Sequence, residues 1–141
     1  VPEYPAGALP PGWCVGEAGL LLAQGRAADS GGARLAERAR NLAARPVLED
    51  LSLCCGELGV VDSLAVLAAH VPAVEDTRRR SAGSVLDAIT RNSANCGTPG
   101  QVPTPGLLNG LAGIGYGLLR LGFANRVPSV LLLESIQNDA S

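Results

Sequence analysis

A pair of glycines three residues apart, followed at once by an apolar run, occurs three times in this chain. The copies are Gly16-Glu17-Ala18-Gly19-Leu20-Leu21-Leu22, Gly56-Glu57-Leu58-Gly59-Val60-Val61 and Gly110-Leu111-Ala112-Gly113-Ile114-Gly115. Their positions leave room for one helix pair between successive copies. A recurrence of this kind describes stacked helical hairpins, each of which buries its apolar face only against a neighbour. Glycine at a helix entrance lets the backbone come close to another group. The expected fold class is all-α.

The rest of the chain fits that frame. Its 141 residues suffice for one core, and 47% hydrophobic with 17% charged residues is not the composition of a disordered segment. Aromatics are only 3%, so the core has to be built from Leu, Val and Ala. Apolar spacing predicts helices over 16–27, 33–45, 58–71, 84–91 and 107–121. Leu35, Ala39 and Leu42 share one face of the second, Pro46 and Pro72 close the second and third, and Asp29-Ser30-Gly31-Gly32 breaks the chain after the first. Residues 92–106 read as a loop, and 127–134 as a terminal strand or a buried tail. Within the single unit 1–141, the stretch 1–12, with Pro2, Pro5, Pro10 and Pro11, is linker-like, and 135–141 is a frayed tail.

Several function classes fall away. The net charge is −2 and every basic residue is Arg, which excludes a nucleic-acid module driven by phosphate neutralisation. The apolar stretch 107–123 contains Asn109 and Arg120 and is too short to span a bilayer, so a packed helix is expected and no membrane partner. The Pro-rich start lacks the basic and apolar regions of a secretory signal. Free thiols in a reducing compartment, and a cytoplasmic location, are therefore expected. The chain has no Met and begins with Val1, which suggests a piece of something longer.

Cysteines supply the chemistry. Trp13-Cys14-Val15-Gly16 and Cys54-Cys55-Gly56 place thiols just ahead of two of the three glycine pairs, whereas Asn109-Gly110 does not. Helix N-termini carry partial positive charge, which favours thiolate. If the two entrances converge, Cys14, Cys54 and Cys55 are three ligands for one Zn²⁺, with the fourth position open as in catalytic sites. A thiol bound there would lose its proton. The same cysteines also suit buried, reduced core positions. Cys96 is expected to be structural, and Arg78-Arg79-Arg80 a solvated turn. Glu17 and Glu57 suit first helical turns, where carboxylates are favoured in any case. His70, the one histidine, lies fourteen residues past Gly56 on the same predicted helix, about 20 Å away.

Trp13-Cys14-Val15-Gly16, Ser52-Leu53-Cys54-Cys55-Gly56-Glu57-Leu58-Gly59 and Thr104-Pro105-Gly106-Leu107-Leu108-Asn109-Gly110-Leu111-Ala112-Gly113-Ile114-Gly115-Tyr116 resemble, in order, the cyclase of lanthipeptide synthetases. The ending Val127-Pro128-Ser129-Val130-Leu131-Leu132-Leu133-Glu134 resembles that of the class II, bifunctional enzymes. The resemblance implies an α/α toroid of helical hairpins around a zinc ion, of which this chain would be a partial arc, the C-terminal part of a closed α/α barrel. It implies zinc ligands at Cys14, Cys54 and Cys55, the pattern of a subgroup with an all-cysteine site. The implied activity is Michael-type addition of peptide cysteine thiols to dehydroalanine or dehydrobutyrine in lantibiotic biosynthesis. The implied partners are a dehydrated precursor peptide, the upstream remainder of the cyclase and a dehydratase domain. Val15 departs from the polar residue common in relatives after the first cysteine. The family's catalytic histidine lies in an upstream motif that nothing here matches, so no catalytic residue is expected in this chain, and poor or transient zinc binding and inefficient cyclisation by the chain alone are expected. The alternative is a non-catalytic helical-repeat module that binds zinc or peptide.

Overall fold

A computed structural model describes residues 8–27, 32–91 and 95–135. Five helices follow one another: α1 (Glu17–Ala27), α2 (Gly32–Ala43), α3 (Glu57–His70), α4 (Glu75–Arg91) and α5 (Leu111–Phe123), with 3₁₀ turns at Pro72–Val74, Pro99–Gln101 and Val130–Leu132. Among the described residues there is no strand, only an isolated bridge between Asp50 and Asn95. The fold is all-α. The linker-like residues 1–7, the break at 28–31, the start of the loop at 92–94 and the tail at 136–141 lie outside the described residues. Among the described residues, no helix is long and apolar enough to cross a membrane.

α3 is the centre. It packs on α1, α4 and α5, so residues from Glu57 to Val66 and Leu67 are buried almost all round, with Ala65 partly so. A helix enclosed in this way has no polar face, and its sequence shows none. α2 is its opposite: Leu35, Ala36, Ala39 and Leu42 are buried, while Arg34, Glu37 and Arg40 are exposed. One apolar cluster joins α1, α2 and one side of α3 through Ala18, Leu21, Leu35, Ala39, Leu42, Val60, Leu64 and Leu67. The second joins α3, α4 and α5 through Leu53, Leu58, Val61, Val85, Cys96, Ile114 and Leu131.

Three expectations change. α4 starts at Glu75, well ahead of Ser84, and Arg78-Arg79-Arg80 lie inside it and not in a turn. Its buried stripe is Thr77, Ser81 and Val85, so the helical period is carried by small polar residues that do not register as an apolar face. Arg78 and Arg79 both donate to Glu75, at 2.7–2.8 Å, and the Arg78 hydrogen bond leads in holding that carboxyl down at about 2. The last helix begins at Leu111, because residues 107–109 belong to the loop ahead of it. Residues 127–134 form a tail with one 3₁₀ turn and no strand, with Ser129 and Leu131 buried.

That tail is fastened by a buried ion pair. Arg120 donates to Asp62 Oδ1 from Nε at 2.8 Å and pairs with it through Nη2 at 2.7 Å. Ser129 Oγ donates to Asp62 Oδ2 at 2.9 Å. Arg120 Nη1 reaches the carbonyls of Ala124 and Val127, and Tyr116 Oη accepts from the Val130 N–H at 2.7 Å. α3, α5 and the tail thus meet at one carboxylate. Asp62→Ala leaves the Arg120 guanidinium buried without its partner, and urea denaturation is expected to show a loss of about 3–5 kcal/mol. A loss below 1 kcal/mol would show that the pair does not hold the tail.

Candidate functional site

Each of the glycine pairs marks the same backbone manoeuvre. The N–H of the first helical residue donates to a carbonyl seven residues back: Glu17 to Pro10, Glu57 to Asp50 and Leu111 to Thr104, each at 2.8 Å. The loop therefore lies across the first turn of its own helix, and its carbonyls take the N–H groups that a helix start leaves unpaired. No side-chain cap bond is made at Gly56 or Gly110. The crossing is too close for a side chain. A Cβ on Gly19, Gly59 or Gly113 would stand 2.1, 1.9 or 1.8 Å from the carbonyl oxygen of Trp13, Leu53 or Leu107. What approaches each glycine is the chain's own loop.

The loops are also joined to one another. Trp13 and Cys14 both donate their N–H groups to the Cys54 carbonyl at 3.1 Å, and Leu53 and Cys54 both donate to the Leu108 carbonyl at 3.0 Å. Gly12 lies against the Cys55 backbone, where its Cβ would come within 2.9 Å of Cα. Two cysteine-bearing loops are thereby held side by side. Cys55 Sγ and Cys54 Sγ are 3.5 Å apart, and the backbone bond from the Cys14 N–H to the Cys54 carbonyl brings Cys14 alongside them. Cys14 and Cys55 are exposed, and Cys54 is half-buried.

Electrostatics at this cluster differ from the helix-dipole expectation. Burial pushes the Cys54 thiol up, to about 12, and the adjoining Cys55 and Cys14 thiols push it the same way. With its pKa raised in this way, Cys54 is a neutral thiol at ordinary pH in the metal-free protein. A divalent cation relieves this crowding of incipient charge, and thiolates are the ligands zinc favours, so the donor set suits zinc in kind. As the side chains rest, no group of three or more His, Cys, Asp or Glu is arranged to hold a metal among the described residues.

The lanthionine synthetase C-like protein family is matched over residues 4–132, nearly the whole chain. The chain belongs to that family. No curated protein and no solved structure matches it. The family is associated with lanthionine cyclase activity, and with zinc binding in general.

Other residues of this LanC-like chain take structural places. Cys96 is sealed in the second apolar cluster, 1% exposed, away from any role as a ligand. Glu17 pairs with Arg38 at 2.7 Å and Glu57 with Arg45 at 2.8 Å, tying α1 to α2 and α3 to the strap ahead of it. His70 is exposed at the far end of α3, on the rim of a cavity of about 590 Å³ with Glu75, Arg78 and Arg120. Asp50 escaped the sequence reading. Its carbonyl caps α3 and its Oδ1 accepts the Ser52 N–H at 2.7 Å, so it shapes the loop that carries Cys54. The signal was its place, six residues before Gly56.

Two outcomes follow from this geometry. Gly113→Ala is expected to cost several kcal/mol or prevent folding, because backbone must move. Gly83→Ala in α4, where a Cβ meets nothing within 4 Å, is expected to stabilise by about 0.5–1 kcal/mol; chemical denaturation measures both. In metal-free protein, mass-spectrometric mapping of alkylation near pH 8 should find Cys14 and Cys55 labelled well before Cys54. Cys54 labelling should quicken as the pH rises towards about 12.

Proposed function

We propose that this chain is the thiol-bearing, C-terminal part of a class II lanthionine cyclase, an arc of an α/α toroid. On this reading Cys14, Cys54 and Cys55 hold one Zn²⁺. The observation that supports it is the meeting of these thiols across two hydrogen-bonded helix entrances in a chain of this family. The reaction joins a cysteine thiol of a dehydrated precursor peptide to the β-carbon of dehydroalanine or dehydrobutyrine. A C–S bond forms, and a proton is taken up at the α-carbon. Bound zinc supplies positive charge that stabilises the peptide thiolate. The chain's part is to fix the three sulfurs. The aligned loops set Cys14 beside Cys54, and Cys55 follows because it is the next residue. Three anionic ligands donate more electron density than neutral imidazoles, which suits a reactive and less selective site.

No residue described here is assigned to proton delivery, and the remainder of the cyclase, with a dehydratase domain, would act upstream in a cytoplasmic enzyme. The same cluster without catalysis would make a zinc- or peptide-binding repeat module.

Metal analysis of the purified chain tests the ligands. With zinc supplied in excess, up to one zinc per chain is expected, lost in Cys14→Ala, Cys54→Ala and Cys55→Ala and kept in Cys96→Ala. Replacing zinc by Co²⁺ should give thiolate-to-metal absorption that weakens in the same three variants. Zinc retained in all three would overturn the assignment. Ring formation in a dehydrated precursor peptide, read by mass after thiol blocking, separates the cyclase from the binding module: zinc with no rings, in the presence of the upstream remainder, favours the latter.

A further inference from the structure

The three glycine entrances are one piece of backbone repeated. A Cβ on the first glycine of each pair would strike the same two atoms, a carbonyl oxygen six residues back and an amide nitrogen four back. These belong to Pro10 and Gly12 for Gly16, to Asp50 and Ser52 for Gly56, and to Thr104 and Gly106 for Gly110. The loops also stand in line, since Trp13 and Cys14 donate to the Cys54 carbonyl as Leu53 and Cys54 donate to that of Leu108. Cys14, Cys54 and Leu108 are therefore equivalent positions, and so are Val15, Cys55 and Asn109. The last three are all exposed, each ahead of a buried glycine. Asn109 thus stands one loop on from Cys55, as Cys55 stands one loop on from Val15.

The fold makes no use of the Asn109 side chain. Turns favour Asn where φ is positive or where its side chain bonds nearby backbone. Among the described residues, positive φ outside glycine belongs to Gln101 and Leu133. No side-chain cap bond is made at the α5 entrance, and the Asn109 carboxamide makes no hydrogen bond among the described residues. Its backbone, by contrast, is held on both sides. The Leu108 carbonyl receives Leu53 and Cys54, and the Asn109 carbonyl receives the Gly97 N–H, all at 3.0 Å. A carboxamide is not among the side chains that zinc favours, and it has no proton to give up at ordinary pH. It offers two N–H donors and one acceptor oxygen, here on a fixed backbone at the edge of the thiol cluster.

We infer that Asn109 is a catalytic residue of this site: its side-chain N–H donates to the carbonyl oxygen of the dehydroalanine or dehydrobutyrine residue under attack. The inference rests on the cyclase reading above. As the thiolate sulfur bonds to the β-carbon, the electron pair of the Cα–Cβ double bond moves towards the α-carbon and the adjoining carbonyl oxygen. Charge grows on that oxygen until the α-carbon takes up a proton, which balances the one lost by the thiol. An N–H donor already fixed in place binds the charged oxygen more strongly than the ground-state carbonyl, so it lowers the barrier. The dehydrated residue therefore lies with its carbonyl towards the α5 entrance, and the sulfur reaches it from the side of Cys14, Cys54 and Cys55.

The test uses the chain with the upstream remainder of its cyclase, a dehydrated precursor peptide, and the variants Asn109→Ala, Asn109→Asp and Asn109→Gln. Zinc content, circular dichroism and the alkylation rates of Cys14 and Cys55 without metal are expected to match the parent in all three, because the carboxamide holds nothing in place. Asn109→Ala is expected to lower kcat for ring formation roughly 100-fold, with KM changed by less than about threefold. Asn109→Asp keeps the shape but replaces the N–H donors with a negative oxygen, and should fall at least as far. Asn109→Gln keeps the donors on a longer arm and should recover part of the loss. A kcat in Asn109→Ala within about threefold of the parent, or a change confined to KM, would overturn the inference. So would a loss of kcat that comes with lost zinc or altered thiol labelling, which marks a structural role. A parent that makes no rings overturns the cyclase reading and this inference with it, and is recognised before any variant is compared.

Discussion

The rest of this structure depends on the crossing of each loop over the first turn of its own helix. A helix start leaves N–H groups without partners, and here loop carbonyls from Pro10, Asp50 and Thr104 take them up. The crossing distance permits no Cβ on Gly19, Gly59 or Gly113. Once the loop is pinned to its helix, its outward N–H groups point at the neighbouring loop, and the neighbouring helices acquire a common register. The sulfur cluster is a by-product of that register: Cys14 donates its N–H to the Cys54 carbonyl, and the two side chains share one surface.

A second constraint acts from the far side of α3. Asp62 gathers Arg120 and Ser129, and so joins the central helix, the last helix and the tail at one buried carboxylate. Burying a charged pair brings little net stability, because desolvation offsets the attraction, but losing one partner is costly. The pair therefore acts as a constraint on how α5 lies against α3, and through α5 on the loop whose Leu108 carbonyl receives the Cys54 loop.

Much of this was legible in the residues. The glycine pairs located α1, α3 and α5, because a backbone crossing that close admits only glycine and so marks the sequence. α2 showed itself through Leu35, Ala39 and Leu42, since its outer face is solvated and charged. α4 hid its first half, because Thr77 and Ser81 do the packing where Leu or Val would have announced it, and three arginines masked the period. The three cysteines could be singled out by their place ahead of the glycine pairs. Their state could not: the helix dipole argued for thiolate, while half-burial beside two other thiols raised Cys54 instead.

The sequence by itself determined the helices other than the first half of α4, the recurrence of their entrances and the family, because glycine spacing and apolar periodicity are local and survive without coordinates. Only the tertiary structure decided that the entrances of α1, α3 and α5 stand in line and that Cys14 meets Cys54. It also decided that Asp62, Arg120 and Ser129, far apart along the chain, share one buried site. These depend on backbone hydrogen bonds and ion pairs between distant segments, and such bonds leave no pattern in the residue types that make them.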